Sequence, residues 1–259
     1  MNCSSQLPIS TLLLRVWKRN MKVWSKYIKE ALIGTVADPL IFLFFLGYGM
    51  GQYIGAIDGI SYIQYIAPGL WMSSAMHAAC AECTYGAYTR LSTLKTYDAM
   101  LATPLNAYEI VAGDVLFAAT RSFVNCCVIL LIFALFGLIH TPLVLFIPVV
   151  GFFIGLFFAG AAMSLTAIAR GYEFFVYFYS LIITPMFMLS GIFFPINKFP
   201  GWLEKISFWI PLTQVVDVSR SLFLGSFKAI FFVKLLYIVI LALIFFTLAA
   251  HLIHKRLIK

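Results

Sequence analysis

The sequence predicts an all-α, polytopic membrane protein: six transmembrane helices, an N-terminal amphipathic interfacial helix, and a re-entrant helical hairpin between the fifth and sixth spans. Three observations predict it. The 259 residues are 63% hydrophobic and only 11% charged, against roughly 25% charged in a soluble domain. The apolar residues gather into runs long enough to cross a bilayer, which needs about 20 of them. The net charge of +8 is bunched at the two ends rather than spread over one face, as in a chain that meets lipid headgroups there. Nucleic acid is excluded as a partner, because no aromatic-basic interleaving or recognition motif accompanies the cations.

The first element is "LLLRVWKRNMKVWSKYIKE", residues 12–30. Trp17, Met21, Trp24 and Ile28 recur at helical spacing, while Lys18, Lys22, Lys26 and Lys29 fall largely elsewhere round the helix. This pattern suits a helix lying in the interface with its cations toward headgroups; a basic helix packed on a protein partner is the alternative. No cleaved signal peptide is expected, because a long apolar segment follows instead of a small-residue cleavage site. Residues 1–30 thus form a tail and interfacial helix, and 31–259 the membrane domain.

The first span is expected at about 32–53, with Asp38 and Pro39 near its beginning, where interfacial solvation makes them bearable. "GYGMG" at 47–51 lacks the lysine of a phosphate loop and marks close helix packing or a flexible span end. A short loop around Asp58 leads to a second span at about 62–85. "CAEC" at 80–83 has redox or metal spacing but no second pair, and Cys in an apolar span is an ordinary small hydrophobe. His77 reads as a satisfied core histidine, with Glu82 nearer the inner face.

Residues 86–108 are polar enough to leave the membrane and are broken at Pro104. The third span runs from about 110 to 138, and Asp114 and Arg121 share one of its faces. Arg121 either holds a phosphate or acidic glycan, or pairs with Asp114 or Glu82. The charge-free stretch 122–169 is too long for one span, so a fourth is placed at about 143–169 after a break at His140 to Pro142. The fifth is expected at about 174–194 and the last at about 231–253.

Between the last two lies a stretch, about 190–228, too apolar for a free loop. With Pro185 before it and Pro195, Pro200 and Pro211 within it, its helices are interrupted. Such backbone at membrane depth must be buried in protein or line a wet cavity, which predicts a hairpin of two short helices dipping in from the outer face. Asp217 and Arg220, at i,i+3 spacing, either lock that turn or lie near a transported molecule. Six spans with basic termini place both ends in the cytoplasm.

Two segments carry a family resemblance. "LSGIFFPINKFPGWLEKISFWIPLTQVVDVSR" (189–220) and "YDAMLATPLNAYEIVAGD" (97–114) resemble the membrane subunits of ABC-2 type ABC exporters. The nearest subgroup contains the nodulation-factor exporter permease, with polysaccharide, O-antigen and teichoic-acid permeases more distant. The resemblance implies a homodimer of permeases with two cytosolic ABC ATPase subunits in the bacterial inner membrane. That assembly would move a glycan, lipid-linked glycan or other amphiphile outward by alternating access. It also implies a coupling segment at about 89–103, with Tyr97, Asp98, Met100 and Leu101 docking the ATPase, and a second contact at Arg170 and Glu173. No phosphate-cradling loop occurs in this chain, so ATP and Mg would be used by the partner, with no cofactor held here.

The cargo path remains open between Arg121, Tyr172, Tyr177, Tyr179, Asp217 and Arg220, tyrosine rings being suited to sliding contact with sugar faces. Two other readings stand beside this one: a drug or small-amphiphile exporter subunit, and a membrane-embedded glycan or lipid transferase. The transferase would require a polar constellation that the scattered acids do not supply. An ion-coupled transporter would show two related halves, and no such repeat is apparent.

Overall fold

The computed structural model describes residues 12–57, 59–139, 141–226 and 230–257. Helix α1 covers Leu12–Trp24. Helix α2 (Ile28–Phe44) runs on through a wide π turn, Phe45–Met50, into the short α3, Gly51–Ile54. A two-residue hairpin, β1 (Ala56–Ile57) with β2 (Ile60–Ser61), turns the chain into α4, Tyr62–Ala81. Two more π turns, Glu82–Gly86 and Thr89–Thr93, extend α4 to the short α5, Thr96–Leu101. Helix α6 is Ala107–Leu135, and α7 is Ile147–Ile168, preceded by a 3-10 turn from Pro142. Helices α8 (Glu173–Phe178) and α9 (Thr184–Leu189) are joined by a fourth π turn, Tyr179–Ile183. Helices α10 (Gly201–Trp209), α11 (Pro211–Phe223) and α12 (Ile230–Leu257) complete the chain.

The start of α6 shows how local sequence sets a boundary. Asn106 accepts from the Glu109 backbone N–H at 2.9 Å and Glu109 answers to the Asn106 N–H at 2.9 Å. This reciprocal capping box satisfies two donors that a helix start leaves unpaired. The core lies where α4, α6 and α7 meet. Helix α12 packs along α7, α11 along α4, and α2 along the outer side of α4. Ile66, Trp71, Met76, Ile110 and Ile154 are buried there, and the Trp71 indole N–H donates to the Cys126 carbonyl at 3.1 Å.

Four of the expected six spans are long and apolar enough to cross a membrane: Ile28–Ile54, Ala107–Leu135, Pro142–Ile168 and Ile230–Leu257. The other two are corrections. The expected second span is helical, but Gln64, Ser73, Ser74 and His77 dilute its apolar character, and nearly all of α4 is buried. A helix wrapped in protein has no need of an all-apolar surface. The expected fifth span is a 17-residue helix, Glu173–Leu189. At 1.5 Å per residue that is about 26 Å, short of a hydrocarbon core of about 30 Å.

The re-entrant hairpin is likewise not formed. Its two short helices exist, but they do not pair as arms. Helix α11 is buried against the bundle, while α10 stays outside it, with Trp202, Phe208 and Trp209 all more than half exposed. The extended backbone at Ile210, followed by Pro211, separates them.

Two further expectations change. Helix α1 turns its apolar side onto α6, so this side meets protein rather than lipid. Gly113 makes the approach possible, since a Cβ there would stand 2.6 Å from the Val16 side chain. Asp38 is not in a first helical turn: α2 starts at Ile28 and carries both Asp38 and Pro39 in its interior. Cys80 and Cys83 are buried in the core. Asp58, His140 and Lys228 lie outside the described residues.

Candidate functional site

The densest polar group is built where α1, the π-turned end of α4, α5 and α6 converge. Glu82 is its hub. Arg90 Nη1 donates to Glu82 Oε1 at 2.6 Å, and Arg121 Nη1 donates to Glu82 Oε2. Arg90 also reaches Asp114 on α6, its Nε standing 3.2 Å from Oδ2. Asp114 is fully buried and accepts further bonds from Tyr97 Oη on α5 and Asn20 Nδ2 on α1. The Arg121 guanidinium lies 5.8 Å from the Trp24 ring centroid. Two carboxylates thus balance two guanidiniums, and buried charges survive only when paired and hydrogen-bonded in this way. Burial pushes the Tyr97 phenol well above its ordinary range, and Asp114 pushes it further in the same direction. Tyr97 therefore stays a donor.

This network ties the expected coupling segment to the bundle. Tyr97 and Met100 turn inward, Leu101 is half-buried, and Asp98 faces outward with Leu94, Lys95 and Ala99. Arg170, on the loop after α7, and Glu173, at the start of α8, are exposed. That loop is held against the coupling segment by Tyr172, whose hydroxyl lies 2.9 Å from Thr89 Oγ1 and 3.1 Å from Thr93 Oγ1. The two regions expected to meet an ATPase are therefore neighbours. Arg121 is bonded to Glu82, one of the two partnerships its position allowed.

A second polar group lies at the other end of α4. Asp217 sits 2.9 Å from Lys234 Nζ on α12 and 3.7 Å from Arg220. Arg220 donates to the Gly191 carbonyl at 2.8 Å and covers the Tyr65 ring at 4.0 Å. Tyr65 Oη donates to the same carbonyl at 3.2 Å. Gly191 has φ +73° and no room for a Cβ beside Ile196, so the Leu-Ser-Gly turn requires glycine.

Tyr172, Tyr177 and Tyr179 do not form one group. Tyr177 is exposed on its own. Tyr172 and Tyr179 flank Tyr85, at 6.3 Å and 6.0 Å between centroids and near-parallel. Sequence reasoning missed several working residues. Glu82 as hub and Lys234 gave no local signal, whereas Asn-x-x-Glu at 106–109 did. Arg256, one of the cations bunched at the C-terminal end, is turned to protein rather than to headgroups: its Nη1 donates to the carbonyls of Thr166, Ala167 and Ala169 at 2.7–3.1 Å. Those are the orphan acceptors at the end of α7.

The comparisons with known proteins follow the same lines. Residues 11–224 match the family model described as ABC-2 type transporter. The chain is 38% identical over 214 residues to nodulation protein J of Rhizobium meliloti (strain 1021), covering 82% of this chain and 81% of that protein. It is also 38% identical to nodulation protein J of Rhizobium leguminosarum bv. viciae, covering 82% of each. A more distant relative is the inner membrane transport permease YadH of Escherichia coli (strain K12), 24% identical over 81% of this chain and 84% of that protein.

Proposed function

The chain belongs to the ABC-2 type transporter family, and on that premise we propose that it exports a glycan, lipid-linked glycan or other amphiphile, driven by a separate ATPase. It is an ABC-2 type permease, a multi-pass helical membrane subunit whose task is transport rather than catalysis. In our reading two copies join two cytosolic ABC ATPase subunits in a bacterial inner membrane, with both termini on the ATPase side. ATP and Mg are used by the partner. Residues 1–30 lie at the cytoplasmic face and 31–259 form the transport domain.

The observation that carries this reading is the wiring of α5. A helix of six residues has little stability of its own, yet it holds one buried tyrosine bonded into an ion network spanning α1, α4 and α6. Its outward residues are free to meet a partner. A push on Asp98 and its neighbours would pass through Tyr97 and Asp114 to the helices that form the core. In this reading Tyr97 and Met100 set the pose of the coupling segment, Asp98 and Leu101 touch the ATPase, and Arg170 and Glu173 extend that surface.

Charge reversal tests it. Asp98→Lys should weaken co-purification with the cognate ATPase about tenfold or more, since like or unlike charge at an interface is worth a few kcal/mol, while membrane insertion is unchanged. Undiminished co-purification would remove α5 from the docking surface.

A further inference from the structure

One charged group has no place in either ionic cluster. Asp38 stands ten residues after Ile28, about 15 Å along the helix, within a segment apolar and long enough to cross a bilayer. It is exposed, and among the described residues no hydrogen bond or ion pair holds it. A carboxylate at such depth is costly unless it faces a wet cavity or the protein interior.

A cavity is there. About 420 Å³ of space opens between α2, α4 and the α8–α9 helix, and its wall includes Thr35, Asp38, Ser73, Ser74, His77 and Tyr179. The polar wall is mostly acceptor. His77 Nδ1 lies 2.8 Å from the Ser73 carbonyl; a carbonyl only accepts, so Nδ1 carries the hydrogen and the neutral ring offers its Nε2 lone pair. The Thr35 and Ser74 hydroxyls already donate to backbone carbonyls at 3.1 Å and 2.7 Å. Asp38 and His77 therefore seek donors. Among the described residues, no Lys or Arg lines the cavity. The opposite wall is flat and aromatic: Tyr179 lies nearly parallel to His77 with centroids 6.4 Å apart. The stack continues through Tyr85 to Tyr172, beside the coupling segment.

We propose that this cavity is a cargo subsite for a sugar ring bearing hydroxyls and no negative charge. The hydroxyls would donate to Asp38 and His77, and the apolar C–H edge of the ring would rest against the Tyr179 and Phe187 side chains in the cavity wall. An uronate or phosphate would meet an uncompensated carboxylate and be disfavoured. The proposal rests on the export reading above and adds the class of cargo to it.

The test uses the permease and its cognate ATPase co-reconstituted in vesicles, with two probes: a fluorescent lipid-linked neutral hexose oligosaccharide and its uronate counterpart. ATP-dependent movement should favour the neutral probe about tenfold, because like-charge juxtaposition costs a few kcal/mol. Asp38→Asn, nearly the same shape, should erase most of that preference or slow the neutral probe, with ATPase co-purification retained. An Asp38→Asn protein that keeps both the wild-type rate and the wild-type preference overturns the subsite and leaves the export reading standing. If the wild-type assembly moves neither probe, the export reading falls and takes the subsite with it. Independently, Asp38→Cys in membranes should react with a water-borne thiol reagent above the wild-type background; an unreactive thiol would mean a dry seam and would overturn the proposal.

Discussion

The two ends of α4 are each fastened by acidic and basic side chains, yet they are built on different accounts of charge. At the α5 end, Glu82 and Asp114 are 4% and 0% exposed, and each answers to guanidinium groups that are themselves mostly buried. At the other end Asp217 is 37% exposed, and it faces two cations, Arg220 and Lys234. Arg220 does not depend on that acid, because a backbone carbonyl and a tyrosine face already receive it. In the first cluster each charge is held up by another charge; in the second, the backbone does most of the holding. Removing an acid should therefore be severe in one place and mild in the other.

The comparison breaks first at Glu82. Glu82→Gln leaves Arg121 buried without its counter-charge and Arg90 with Asp114 alone, and losing one partner of a buried pair costs about 3–5 kcal/mol. A large fall in Tm of the detergent-purified protein is expected, and a melting curve like the wild type would show that the network is dispensable. An intermediate effect is expected at Arg220→Ala, which removes a charge-assisted bond to Gly191 and the cover over Tyr65. A loss of about 1–3 kcal/mol follows, read as a Tm shift smaller than that of Glu82→Gln. The smallest effect should come from Asp217→Asn. A partly exposed pair is worth about 0–1 kcal/mol, so its melting curve should nearly overlay the wild type. Should Asp217→Asn match Arg220→Ala in cost, the carbonyl and the ring are not the real supports of Arg220.

Much of the helical skeleton was legible because it rests on local rules. The break at Pro104, the basic helix from Leu12 and the last helix near Phe231 follow from proline chemistry, charge patterning and long apolar runs. The i,i+3 pairing of Asp217 with Arg220 was also readable, although its distance, 3.7 Å, makes it the weaker of the two contacts that Asp217 has. The number of spans was not legible. Residues 62–85 carry enough apolar side chains to suggest a span, and only tertiary packing reveals that they are enclosed by other helices. The same holds for the site. The family resemblance implies a coupling segment with Tyr97, Asp98, Met100 and Leu101 docking the ATPase; Tyr97 and Met100 are buried in the chain's own bundle, which a six-residue helix, too short to show a periodicity, does not reveal in the sequence. Asp38 was excused as interfacial for want of a helix start signal near Ile28.

The wide turn at Glu82–Gly86 also fixes an angle. An uninterrupted α-helix advances about 100° per residue, so residues eight apart would point about 80° away from one another. A turn that takes in one extra residue makes those eight behave like seven, and the offset shrinks to about 20°. Glu82 and Arg90 can then stand in register along one side of the rod. The ion network thus depends, at this joint, on one surplus residue taken up as a wide turn: straightening that turn into regular α-helix with the sequence unchanged would swing the guanidinium about 80° out of line with its acid, whereas deleting one residue together with the turn would keep the two in register.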